Sequence, residues 1–302
     1  MKQLIATALF LAVTGILKAQ NVPPIRVDVH LVNVFVNVTD TNGAPVGGLM
    51  KDDFTVAEDG HPQKIAVFEK QADMPLSIVL AIDTSGSVAK DLAIEKRAAH
   101  NFVHSLLRPV DRLDLIDFSS DVREVVPFTN RLSSIDYGIE NLATGPATAL
   151  YDAVYLSAQN LTNRPGRKVL VVISDGGNTV KGVDYAAALE QAVRSETMVY
   201  SIIDVPVEAD AGRDTGGEHA MITLSQETGG KYFYADAAHL PEAFQKVSDD
   251  LRTQYLLAYY PEHRRADSDF RAINVTVKQP ANAHYTVRHR TGYYATPGQS
   301  IQ

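Results

Sequence analysis

The sequence predicts an α/β fold, a doubly wound and mostly parallel sheet inserted in an all-β module built from both flanks. Three observations predict it. Two apolar runs, Leu76-Ser77-Ile78-Val79-Leu80-Ala81-Ile82 and Val169-Leu170-Val171-Val172-Ile173, carry no formal charge and read as strands buried on both faces. Between and after them, strand-like and helix-like stretches alternate in the order of a doubly wound sheet. On both sides of this region the pattern changes to period two, apolar against polar, as in half-buried antiparallel strands.

Bulk properties bound the function. At 302 residues the chain can build two cores, and 45% hydrophobic with 21% charged residues is the composition of a globular protein. A formal net charge of −8 without a Lys/Arg block argues against nucleic acid or an anionic membrane as partner. The absence of cysteine rules out disulfides, thiolate catalysis, cysteine-ligated zinc and a lipid anchor on Cys.

Residues 1–19, with Lys2, an apolar run from Leu4 to Ile16, and Ala19 before the expected cleavage point, read as a signal peptide, against the alternative of a buried amino-terminal helix. The run is too short to span a bilayer comfortably, and no second stretch is long enough to do so. The expectation is an exported protein, periplasmic or secreted, with no transmembrane anchor in the mature chain.

The first part of the β module is expected over 23–72. Ile25, Val27 and Val29 alternate with polar residues, the phase slips near Leu31-Val32, where a β-bulge is expected, and Val32, Val34, Val36 and Val38 then share one face. Asn42-Gly43 marks a turn, and Glu58-Asp59-Gly60-His61 reads as a primed hairpin turn between Phe54-Thr55-Val56 and Ile65-Ala66-Val67-Phe68. About four strands make a small sandwich. The remainder is expected from 254–296, where Tyr255–Tyr260, Phe270–Val277 and Tyr285–Tyr294 are strand-like.

Inside the α/β unit, 73–253, the strand at Leu76 is followed by a helix with Leu92, Ala99, Phe102 and Leu106 on one face. Leu113–Phe118 is a strand whose two carboxylates argue against full burial, and Val122–Phe128 is its edge partner. Helices are expected over Thr148–Leu161, over Tyr185–Ser195 with Asp184 as cap, and over Leu240–Leu251, with a buried strand Met198–Val205 between the last two. Residues 206–219 read as a polar loop at a strand's carboxyl end. Glu208, Asp210, Arg213 and Asp214 are its candidate partner-binding residues, against the alternative of a solvated loop.

The chemistry sits beyond the strand ends, where open α/β sheets bind ligands. Asp83-Thr84-Ser85-Gly86-Ser87 offers one carboxylate and two hydroxyls at alternate positions, hard oxygen donors of the kind Mg²⁺ takes. Alone, such a pentapeptide is a weak signal and reads more readily as a helix cap by Ser85 or Ser87. Thr148, ahead of a helical run, and Asp175, ending the second apolar strand, add donors, because ends of neighbouring parallel strands lie side by side.

These three pieces resemble a von Willebrand factor type A domain. The metal-ion-dependent adhesion site of that family combines an Asp-x-Ser-x-Ser loop with a distant Thr and a distant Asp. The resemblance, over roughly residues 73–250, implies a Rossmann-like sheet and carries the metal ligands onto Asp83, Ser85, Ser87, Thr148 and Asp175. It implies Mg²⁺, with Mn²⁺ or Ca²⁺ as substitutes, bridging to an Asp or Glu on a protein partner, and a ligand-coupled shift of the last helix. Gly48-Leu49, Asp53-Phe54-Thr55-Val56, Glu58-Asp59-Gly60, Tyr255–Pro261 and Gly292-Tyr293-Tyr294 are further similar to a von Willebrand factor A-related family of acidobacteria.

Other classes fit less well. A phosphotransferase of the haloacid dehalogenase type needs Asp two residues after Asp83, where Ser85 stands; Gly-x-Ser-x-Gly and the P-loop are absent. His100 and His104 have metalloprotease spacing, but Asn101 replaces the general-base Glu and no third ligand lies near in sequence, so they read as a helix face. No enzymatic activity is expected. Metal-dependent protein binding leads, with a structural assembly subunit using the unit without a metal-bridged ligand as the alternative.

Overall fold

The computed structural model describes residues 31–70, 74–88, 91–204, 215–262, 269–281 and 284–295. In chain order the elements are β1 (Val32–Thr39), β2 (Phe54–Glu58), β3 (His61–Gln63) and β4 (Ile65–Lys70). Then follow β5 (Leu76–Asp83), α1 (Leu92–Leu106), β6 (Arg112–Phe118), β7 (Val122–Thr129), α2 (Leu132–Glu140) and α3 (Leu150–Leu161). Next come β8 (Arg167–Ser174), α4 (Tyr185–Arg194), β9 (Met198–Asp204), α5 (Thr215–Thr228), β10 (Tyr232–Ala235) and α6 (Leu240–Arg252). The chain closes with β11 (Tyr255–Tyr259), β12 (Phe270–Val277), β13 (Thr286–Arg288) and β14 (Gly292–Tyr294).

The central sheet runs β10-β9-β8-β5-β6-β7, parallel except for the edge strand β7. From β5 the chain winds outward to β6 and β7, then returns across β5 and winds the other way through β8, β9 and β10. The winding reverses between β5 and β8, which opens a crevice at their carboxyl ends. Both apolar runs are buried throughout because helices cover both faces. One face packs on α1, α2 and α6, the other on α3, α4 and α5. On α6, Leu240, Phe244, Val247 and Leu251 recur at helical spacing and are at most 2% exposed. Burying each stabilises the fold by roughly 1.5–3 kcal/mol, and Phe244 stacks on Phe102 of α1 with ring centroids 4.4 Å apart.

The two flanks form one sandwich of two four-stranded antiparallel sheets, β13-β1-β11-β4 and β14-β12-β2-β3. Each sheet joins both flanks: β1 pairs with β11 (Val34 opposite Leu257) and β2 with β12 (Val56 opposite Val275). The inner faces share a core of Val32, Val34, Val36, Val38, Phe54, Val56, Leu257, Tyr259, Ile273 and Val275. Neither flank has enough strands to close such a core alone.

Sandwich and α/β unit meet through buried polar groups. Asn37, on the outer side of β1, donates to the Asp250 carbonyl at 2.9 Å and accepts from Gln254 at 3.1 Å. Arg288 of β13 reaches both Asp250 carboxylate oxygens, at 2.5 and 2.6 Å, and the Tyr200 hydroxyl donates to the same carboxylate at 2.7 Å. Burial first, and the adjacent Asp250 charge second, hold the Tyr200 phenol well above its usual range.

Several expectations change in detail. The primed turn is present, with Asp59 and Gly60 at φ 49° and 81°, but it joins β2 to the short β3, and β4 crosses to the opposite sheet to pair with β11. The expected strand Tyr285–Tyr294 is two short strands in different sheets. Apart from Arg112, β6 is buried despite its carboxylates. Asp117 pairs with Arg123, and Asp114, pushed up to about 7 by burial, accepts from Asn160 at 2.9 Å. Helix α2 falls in a stretch to which the sequence assigned no element, and residues 215–219 of the expected loop are the first turn of α5. The signal peptide, the Ile25–Val29 alternation and the expected bulge lie at or beyond the edge of the described residues.

Asp250→Ala should test the junction. It leaves the Arg288 guanidinium and the Tyr200 hydroxyl without their carboxylate and should destabilise the protein by about 3 kcal/mol, read as a lower urea midpoint at unchanged slope.

Candidate metal centre

Asp83 ends β5 and is 1% exposed. One carboxylate oxygen accepts the Ser85 N–H at 2.8 Å, an Asx turn that starts the loop, and the other accepts the Ser174 hydroxyl at 2.6 Å from the end of β8. The Asp83 carboxylate is thus fixed by both strands of the switch point. The Ser85 and Ser87 hydroxyls lie 3.0 Å apart, within hydrogen-bond distance.

The loop is held laterally. Thr84 N–H donates to the Phe118 carbonyl at 2.9 Å, and Gly145 N–H donates to the Thr84 carbonyl at 3.0 Å. Gly145 must be glycine: a Cβ there would lie 2.3 Å from the Ser119 hydroxyl. This contact brings in the segment that carries Thr148.

Thr148 is buried and sits in the loop before α3 rather than in its first turn, a correction to the expected helix start. Its N–H donates to the Thr179 hydroxyl at 2.9 Å, and its carbonyl accepts from Thr179 N–H at 2.8 Å and Val180 N–H at 3.1 Å. Those residues belong to the loop after β8, in which Asp175 accepts the Gly177 N–H at 2.9 Å. A Cβ on Gly177 would lie 3.1 Å from the Asp175 carboxylate and 3.8 Å from the Thr148 hydroxyl, so both donors flank one glycine. Asp83, Ser85, Ser87, Thr148 and Asp175, five residues from three separate segments, therefore border one crevice.

Residues 78–178 match the family model of the von Willebrand factor type A domain. The chain carries a von Willebrand factor type A domain. Its fold is similar to a von Willebrand factor type A protein from Catenulispora acidiphila (11% identity, TM-score 0.51, covering 87% of this chain and 74% of that one). It is also similar to the pilus adhesin SpaC from Lactobacillus rhamnosus GG in its open conformation (12% identity, TM-score 0.50, 85% and 49%). An aerotolerance-related membrane protein from Bacteroides fragilis matches at 23% identity over 58% of this chain and 98% of that one, with a TM-score of 0.47. No curated protein matches. At these identities the likeness is one of fold.

Within the A domain the electrostatics around the crevice are one-sided. Burial pushes Asp83 up to about 6; hydrogen bonds from Ser174 and Ser85 act against this, and the Asp175 charge adds to it. Glu95 of α1 is pushed up to about 8, first by burial and then by Asp204, Asp83, Asp91 and Asp175. It is 1% exposed, and among the described residues its Oε2 is buried without a hydrogen-bond partner. No Lys or Arg among the described residues pairs with Asp83 or Asp175. An orphaned acid, crowded carboxylates and three hydroxyls are a donor set that fits a hard divalent cation.

Glu95 and Asp204 were not anticipated from the sequence. A signal for Glu95 existed: it lies three and four residues ahead of Ala98 and Ala99 and so falls on the buried stripe of α1. Asp204 could be found only once β9 was seen beside β8. Glu208, Asp210, Arg213 and Asp214 lie outside the described residues. Among the described residues no helix is long and apolar enough to cross a membrane.

Glu95 predicts a pH effect in metal-free protein. Its folded-state pKa of about 8 stands above the ordinary 4.5, so the folded protein holds the proton more tightly and stability falls as pH rises between these values. Glu95→Gln should flatten that fall and exceed wild type at pH 9 by on the order of 2 kcal/mol, measured by urea unfolding in EDTA from pH 5 to 9.

Proposed function

We propose that this chain is an exported, metal-dependent protein-binding protein of the adhesion type. In this reading Asp83, Ser85, Ser87, Thr148 and Asp175 hold a divalent cation, Mg²⁺ in first place and Mn²⁺ or Ca²⁺ as substitutes. The observation that carries it is the convergence of two carboxylates and three hydroxyls at the switch point without a neutralising Lys or Arg among the described residues. When bound, the cation supplies an electrophilic bridge to an anionic group outside the chain.

The protein's own residues set up that role. Ser174 and the Ser85 N–H orient the Asp83 carboxylate, and the Gly177 N–H orients Asp175. With at most two formal negative charges from the protein, the cation is neither over-neutralised nor fully enclosed, which leaves a coordination position for a third carboxylate, an Asp or Glu of the partner. The stretch with Glu208, Asp210, Arg213 and Asp214 follows directly on Asp204 and is the proposed source of partner contacts beyond the cation. A binding role accounts for these features without a catalytic step. Export rests on residues 1–19. SpaC is described as a pilus adhesin, in keeping with this reading.

Thermal and urea unfolding with Mg²⁺ or EDTA tests the site. At about 100 times its dissociation constant, Mg²⁺ should stabilise wild type by about 2.7 kcal/mol and leave Asp83→Ala unmoved. Equal stability in Mg²⁺, Mn²⁺, Ca²⁺ and EDTA would refute the site. Stabilisation by metal with partner capture insensitive to EDTA would favour the assembly subunit instead. Because Asp83 must lose its proton to ligate, Mg²⁺ affinity should fall about tenfold per unit below pH 6, as read by calorimetric titration.

A further inference from the structure

On the outer surface of the α1–α2 face, away from the crevice, His100 and His104 lie one turn apart on α1 and stack with ring centroids 4.3 Å apart. Both turn Nε2 toward Asp136 of α2. His104 Nε2 lies 3.0 and 3.1 Å from the two carboxylate oxygens, and His100 Nε2 lies 3.3 Å from the nearer one. Among the described residues this is the one group of three His, Asp or Glu side chains whose ligand atoms all fall within 4.8 Å of one another.

We propose that His100, His104 and Asp136 form a second metal site, selective for Zn²⁺ over Mg²⁺. Two imidazole nitrogens and one carboxylate are a donor set for zinc, whereas magnesium prefers oxygen alone. In a tetrahedral site with bonds of about 2.0–2.2 Å, ligand atoms stand about 3.3–3.6 Å apart. The His–Asp separations are already 3.0–3.3 Å, so seating the ion needs only small rotations of the side chains. Side-chain exposures of 43%, 39% and 29% leave the fourth position open to water.

The site has a structural consequence. A cation held by two residues of α1 and one of α2 ties the helices together, reinforcing the bond from the Lys96 ammonium to the Glu140 carbonyl at 2.7 Å. Helix α1 is also the element that carries Glu95 against the first site. The proposal does not depend on that first site being a metal centre, since the two share no residue.

The test is Zn²⁺ titration by calorimetry of the full, tag-free chain in excess Mg²⁺, with Co²⁺ absorption as a second readout. Wild type and Asp83→Ala should each bind one Zn²⁺ with the same affinity and show Co²⁺ ligand-field bands. His104→Ala, His100→Ala and Asp136→Asn should weaken Zn²⁺ by more than about 100-fold, the upper end of what losing an outer-shell partner costs. All three residues are partly or fully exposed, so circular dichroism should show the variants folded. Zn²⁺ affinity unchanged in these variants, or no saturable Zn²⁺ binding in wild type, would overturn the proposal. Loss of binding in Asp83→Ala alone would assign the zinc to the first site and overturn it equally.

Discussion

The bond from the Ser174 hydroxyl to the Asp83 carboxylate, 2.6 Å across the ends of β5 and β8, expresses the constraint on which the rest of the structure depends. These strands are neighbours although more than eighty residues separate them, because the sheet reverses its winding between them. Their parallel register, with Leu80 opposite Val171 and Ile82 opposite Ile173, brings both carboxyl ends level. The loop after each strand then opens on the same side, and the Gly145 and Thr148 segment is drawn across the gap by backbone bonds to both loops. A slip of one residue in this register would point Asp83 into the opposite core.

This arrangement concentrates negative charge where the chain has little to offset it. Asp83, Asp175, Asp204 and Glu95 approach one another, and burial together with the neighbouring charges raises the pKa of Asp83 and of Glu95. At the opposite end of the same sheet, just before β6, a carboxylate is treated differently. Asp111 is fully buried yet kept below its usual range, because the Arg108 guanidinium and the Leu76 and Arg108 N–H groups outweigh its burial. The contrast is between a neutralised acid at one end of the strands and uncompensated acids at the other, which supports the proposal of a cation at the carboxyl edge.

The sandwich is tied to the opposite side of the same unit. Helix α6 is followed within three residues by β11, a central strand of its sheet, and Asp250 near the helix end is gripped by Arg288 and Tyr200. The helix that seals one face of the α/β core therefore also anchors the flanking module. The buried Asn37–Gln254–Tyr200 contacts fix that junction in one orientation, as directional hydrogen bonds do where apolar contact alone would slide.

How much of this was legible depends on the range of the interaction. The apolar runs, the helical spacing of Leu240, Phe244, Val247 and Leu251, the Asp-Gly turn at 59–60 and the Asp184 cap are local patterns, and each appears in the structure close to where the sequence placed it. So does the closing of the sandwich by both flanks, since neither has enough strands to bury its apolar face alone. The oxygen donors at the ends of the two apolar strands are local features of the chain, whereas the full set of five candidate ligands came from the resemblance to the von Willebrand factor type A domain.

What only the tertiary structure decided lies between elements. The crossing of β4 to the opposite sheet, the full burial of β6, the convergence of Glu95 and Asp204 on the crevice, and Asp136 as third partner of His100 and His104 all depend on which elements become neighbours. A charged residue on a helix reads the same in sequence whether the facing surface is water, a carboxylate or a second helix. Its neighbours across space, set by strand order and helix packing, determine whether it becomes a solvated face, a buried acid or a ligand. The sequence by itself determined most of the elements and offered the candidate donors; their meeting was decided by the winding of one sheet, because electrostatics and coordination act over a few ångströms and not along the chain.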